Sequence, residues 1–197
     1  MKPPITRILV AALALSLPGC AALVAGGAVT AMATAHDRRS TSDVWKDNRL
    51  ELSIMDTINR DKELALRNHV QVVSHNRIVL VIGEVRTPEL KDRALGIVRS
   101  FKDVREVVDA LQVREPAPFG TGARDAAITA RAKTALLDIV DLPGFDVTRV
   151  NVTTRDGVVY LMGLVTREEA ERVADTVSRL SGVVRVVKVF EYIESAS

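Results

Sequence analysis

Two hydrophobic rhythms alternate along the chain. Leu50, Ile54 and Ile58 recur at helical spacing, and so do Ile128, Ala132, Leu136 and Ile139 further on. Between and after them come short β-type runs. Val70–Ser74 with Ile78–Val85, and Val150–Thr154 with Val158–Val165, read as two hairpins. Asp156-Gly157 is a strong two-residue turn signal, because both positions of a type I′ turn need positive φ. The run Val-Val-Tyr-Leu-Met-Gly-Leu-Val at 158–165 is almost continuously apolar, as expected of a central strand covered on both faces. A helix then opens at Thr87-Pro88, with proline where its missing N–H is harmless, and at Thr166-Arg-Glu-Glu169, a capping box. The last strand alternates, with Val184, Val186, Lys188 and Phe190 on one face and Val183, Arg185, Val187 and Val189 on the other. Asp125 reads as the N-cap of a helix over 125–139.

The same pattern therefore occurs twice. Val70–Gly83 aligns with Val150–Gly163 without a gap at an offset of 80, and the following helix and strand align at 79. Two copies predict two small modules rather than a long solenoid. Each reads α-β-β-α-β, an α+β fold in which a three-stranded mixed sheet carries both helices on one face. The boundaries read as module 1 at 46–115, a Pro/Gly linker at 116–123 and module 2 at 124–194. At about 70 residues each, the cores are small, and docking of one module on the other would help them.

Composition removes most function classes. The 197 residues hold four Phe, two Tyr and one Trp, too few for surfaces that stack unpaired bases. A single cysteine excludes an internal disulfide and a multi-cysteine metal site. The net charge of +2 comes from Lys2 and Arg7, since residues 20–197 hold 25 basic and 25 acidic side chains. No nucleic-acid footprint is expected from that balance. His69 and His75 flank a strand without a third ligand, and no phosphate-binding glycine loop or G-x-S-x-G elbow is present. No catalytic residue, metal site or cofactor is assigned.

The N-terminus supplies a different signal. Met1–Arg7 is a basic n-region and Ile8–Leu17 an apolar stretch too short to span a bilayer. Leu17-Pro18-Gly19-Cys20 resembles a bacterial lipobox, with Pro18 as a departure from the usual small or β-branched residue. On this reading 1–19 is a lipoprotein signal peptide, Cys20 is acylated, and 20–45 is the acylated N-terminus and tether, with the polar stretch from His36 to Trp45 as a linker. The alternative is one uncleaved membrane helix over 8–35, a charge-free run interrupted by Pro18-Gly19 and Gly26-Gly27.

A lipobox followed by two copies of this skeleton resembles the dual BON-domain outer-membrane lipoproteins. Val79-Leu-Val-Ile-Gly83-Glu-Val85 and Val159-Tyr-Leu-Met-Gly163-Leu-Val165 carry the resemblance, with Arg93-Ala94, Phe101–Val104, Arg172-Val173 and Leu180–Val183. It implies a non-catalytic monomer, lipid-anchored in the outer membrane and facing the periplasm, that supports envelope integrity and acts at division sites. It further implies that module 2 binds anionic phospholipid through its first helix, at Arg124, Ala127, Arg131, Lys133 and Leu137. The residues permit this: Arg124, Arg131 and Lys133 sit near Leu137, cations for headgroups and an aliphatic tip for the acyl boundary. An aromatic anchor is missing, since Ala126-Ala127 occupies the first turn. Leu137 could instead pack beneath the Asp141–Phe145 loop, with the cations solvated. A different function class also stays open, a periplasmic protein-interaction adaptor that binds an envelope protein partner, an assembly or secretion machine, through the exposed hairpin edge or the linker.

Overall fold

The computed structural model describes residues 38–66, 68–116 and 121–194. The signal peptide, Cys20 and most of the tether lie outside the described residues, as does the middle of the linker. Asp37–Ser197 forms one compact unit.

Module 1 contains α1 (Thr41–Arg60), a single turn α2 (Lys62–Ala65), β1 (His69–His75), β2 (Ile78–Val85), α3 (Pro88–Ser100) and β3 (Glu106–Val113). Module 2 repeats the order with α4 (Thr121–Leu137), a 3-10 turn at Val147–Arg149, β4 (Val150–Arg155), β5 (Val158–Val165), α5 (Arg167–Ser178) and β6 (Arg185–Tyr192). Each sheet has three strands with the expected apolar one in the centre. The hairpin partner is antiparallel and the strand returning after the helix is parallel. Two capping expectations hold: the Thr87 hydroxyl accepts from the Leu90 amide ahead of α3, and Thr166 and Glu169 form a reciprocal box at α5.

Two helix starts differ from the sequence reading. α1 begins at Thr41 under a Ser40 N-cap, inside the segment expected to be linker. Arg38 and Arg39, also in that segment, are clamped down. Arg38 makes a bidentate pair with Glu169 (2.6 and 2.9 Å) and donates to the Leu164 carbonyl, while Arg39 pairs with Asp47 at 2.7 Å. In module 2, α4 starts at Thr121 and stops at Leu137, so Asp125 is not an N-cap. It sits one turn inside the helix, buried, for a reason given below.

Both helices of each module cover one face of its sheet. Leu50, Ile54, Ile58, Ala94, Leu95 and Val98 close on Val72, Val79, Val81 and Val85, and the equivalent residues do so in module 2. The other face is also dry. Val73, Ile78, Leu80 and Ile82 pack on Val158, Tyr160 and Met162 of the other module, flanked by Val108, Ala110, Val187 and Val189. The two sheets meet back to back, helices outside, in four layers. Because the positions in contact are repeat equivalents, the interface is close to two-fold and self-complementary.

One glycine in each central strand is fixed by close approach. A Cβ on Gly83, at φ +121°, would lie 1.7 Å from the His69 carbonyl oxygen, and one on Gly163 would lie 2.4 Å from that of Arg149.

Candidate functional site

The position of α4 is set by a buried carboxylate. Asp125 accepts hydrogen bonds from the amides of Asp156 (2.8 Å) and Gly157 (3.0 Å), the two left-handed residues of the hairpin turn. Asp47 of α1 does the same for Asn76 (2.6 Å) and Arg77 (2.8 Å). A side-chain acceptor inside a helix thus satisfies turn amides that would otherwise be orphaned. The sequence carried this signal as a repeat: Asp47-x-x-Leu50 aligns with Asp125-x-x-Ile128 at an offset of 78.

With Asp125, Ile128, Ala132 and Leu136 facing inward, the outer face of α4 is Ala127, Ala130 and Thr134, continuing to Leu137. All five residues assigned to lipid from the sequence are exposed. Leu137 is 63% exposed and the neighbouring Val140 89%, while Leu142, Phe145 and Val147 pack against the core. Leu137 therefore does not pack beneath the Asp141–Phe145 loop. The cations are not one cluster. Arg124 and Arg131 are seven residues apart on one flank, and Arg131 donates to the Ser181 carbonyl at 3.0 Å. Lys133 lies on the other flank, lining a groove of about 510 Å³ with Ala126, Thr129, Val152 and Thr154. A strip of small side chains separates them.

A second group of charges joins the modules. Glu84, 0% exposed, accepts from Arg155 Nε (2.9 Å) and Arg114 (3.3 Å), with His69 Nδ1 at 3.5 Å. Arg155 bonds its second oxygen as well, and Arg114 also bonds Asp156. Burial would raise the Glu84 carboxyl, but the hydrogen bonds and charge of Arg155, helped by Arg114, outweigh it and hold the group down to about 2. Asp156 moves the other way, raised by burial and by its hydrogen bond with Glu84. Elsewhere on the interface, Glu191 accepts from Asn76 at 2.7 Å and pairs with Arg105. The sequence reading missed Glu84, because its repeat equivalent is Leu164 and nothing local marks it. Among the described residues, no three His, Cys, Asp or Glu side chains converge as a metal site, and no helix is long and apolar enough to cross a membrane.

The sequence model of the BON domain matches residues 46–115 and again residues 124–194. The chain belongs to the BON-domain family. Its two BON domains coincide with the two three-stranded sheets and their helices. Among relatives, the BON protein is 34% identical over 178 residues to the outer membrane lipoprotein DolP of Haemophilus influenzae, covering 90% of this chain and 91% of that one. It is 27% identical over 158 residues to a 21 kDa hemolysin of Actinobacillus pleuropneumoniae, covering 80% of each. A solved structure of CdsD, a structural protein of the type III secretion system of Chlamydia trachomatis, superposes at a TM-score of 0.30 with 13% identity. That alignment covers 77% of this chain and 92% of CdsD.

Proposed function

We propose that this BON protein is a non-catalytic lipoprotein of the outer membrane, anchored through acylated Cys20 and facing the periplasm, that binds anionic phospholipid through α4 and supports envelope integrity. The observation that carries the lipid reading is the solvent-facing tip of α4. Leu137 stands in water one turn from the cation Lys133, the exposed Val140 follows the helix end, and Arg124 and Arg131 lie on the opposite flank. That pattern suits an interfacial helix, apolar groups for the acyl boundary and cations for phosphate. The likeness to the Haemophilus outer membrane lipoprotein over nine-tenths of both chains supports the location. Action at division sites is part of the same proposal and rests on the family resemblance alone.

The test is flotation of the fragment 36–197, which contains the whole compact unit, with vesicles of phosphatidylglycerol and phosphatidylcholine. Arg131→Glu/Lys133→Glu should weaken binding to anionic vesicles at least about tenfold, since each cation contributes about 1 kcal/mol at such a surface. Unchanged affinity in the folded double variant would remove the lipid site from α4 and leave the adaptor reading ahead. Mass spectrometry of the membrane-extracted N-terminus should show lipidated Cys20; an intact Met1 would favour the membrane helix over 8–35.

A further inference from the structure

The repeat supplies an internal control on what each module needs in order to fold. α1 and α4 are held alike, each by its buried aspartate on the hairpin turn, at an offset of 78. At the same positions on the outward face, however, the side chains differ consistently. Module 2 has Ala123, Ala127 and Ala130; module 1 has Trp45, Arg49 and Leu52. Trp45 is 70% exposed and Leu52 72%, two turns apart on the side of α1 opposite Ile54. Since α4 folds with alanine at these places, neither large side chain is required by the core.

The hairpin turn shows the same difference at a backbone cost. Its second residue is Gly157 in module 2, at φ +73°, but Arg77 in module 1, at φ +63°. A left-handed conformation is strained for a non-glycine residue. Module 1 therefore holds a cation where its sister uses the unstrained residue. Arg77 lines a groove of about 540 Å³ with Lys46, Arg49, Ser53 and Phe101, along with the carboxylates Asp43 and Asp103. Lys46 is paired with Asp43, whereas Arg49 and Arg77 have no carboxylate within ion-pair distance among the described residues.

We propose that the outward face of α1, with Trp45 and Leu52 as apolar anchors and Arg49 beside them, together with Lys46 and Arg77 in the adjoining groove as headgroup cations, is a second membrane contact that takes an anionic phospholipid bilayer. The inference rests on the periplasmic, membrane-anchored reading above but uses a different module. An exposed tryptophan beside cations suits the bilayer interface, where its ring is buried and its N–H stays wet. The face is also placed for it. α1 begins at Thr41, directly after the segment that leads back to Cys20, so a tethered chain presents this helix at high effective concentration.

Trp45 is the only tryptophan, so its emission reports this face alone. Fragment 36–197 should show water-exposed emission in buffer. With saturating phosphatidylglycerol vesicles the emission should move to shorter wavelength and be quenched by brominated acyl chains. Lys46→Glu/Arg49→Glu should weaken that response at least about tenfold with an unchanged melting temperature. Arg131→Glu/Lys133→Glu should leave the response intact at saturating lipid. Flotation without any change at Trp45 would overturn this contact while leaving the α4 site standing. A Trp45 response with flotation indifferent to Arg131→Glu/Lys133→Glu would do the reverse. Emission already shifted in lipid-free buffer would show that another part of the protein covers the face, and would also overturn the proposal.

Discussion

Glu84 shows how much one buried side chain can govern. Its carboxylate is stabilised by Arg155 of the other module, so it links the fold of module 1 to the docking of module 2. The folded group sits near 2, below its ordinary 4.5. An acid with a depressed folded value contributes stability that is present above the ordinary value and lost as pH falls toward the folded one. The raised Asp156 works against this, favouring the folded state when protonated, so the net acid dependence is shallower than Glu84 alone would give. Denaturant melts between pH 4.5 and 2 should therefore show falling stability in the parent protein and a flatter profile in Glu84→Gln. Arg155→Ala should cost about 3 kcal/mol at neutral pH, because it removes the closer of the two arginines that pair the buried charge and leaves only the longer contact from Arg114. Gly83→Ala is a different kind of residue-scale failure. Its methyl group would overlap the His69 carbonyl, so a sharp fall in the melting temperature, or loss of the cooperative transition, is expected. The glycine itself was legible in the sequence as part of the repeated strand; Glu84 was not, since its partners lie 30 and 71 residues away.

At the scale of elements, α4 is the informative case. Periodicity placed its buried stripe, Ile128, Ala132 and Leu136, and all three are fully buried. Periodicity could not decide Leu137, which follows the last core position and fits either a packed or an exposed end. The structure decides it: Leu142 and Phe145 of the loop after α4 pack against the core, while Leu137 stays exposed. Leu137→Asp should accordingly leave stability within about 0.5 kcal/mol of the parent by chemical denaturation. The same variant should weaken vesicle binding if α4 meets the acyl boundary. The misplaced helix start has a related cause. An aspartate ahead of an apolar stripe has the pattern of an N-cap, and only the hairpin turn lying against the helix reveals that Asp125 caps that turn instead.

For the whole molecule, the decisive feature is the contact between sheets. Leu80 and Tyr160 each lie on the face of a central strand turned away from their own helices, and both are buried by the other module. The two modules should therefore melt in one transition. Leu80→Glu, a charge placed in that dry interface, should split the melt into two transitions or lower it sharply, measured by calorimetry. The sequence by itself determined the duplication, the α-β-β-α-β order, the central strands, the caps of α3 and α5 and the inward stripe of each helix. Each of these is written in local periodicity or in a turn or cap a few residues long. It also showed that the strand at 158–165 was apolar on both faces, yet an apolar face carries no label for what covers it. Only the tertiary structure decided that the covering surface is the sister sheet and that Glu84 and Arg155 meet across it. It also decided that Leu137, Trp45 and Leu52 stay in water. Those outcomes depend on contacts between residues far apart in the chain, whose pairing no local pattern specifies.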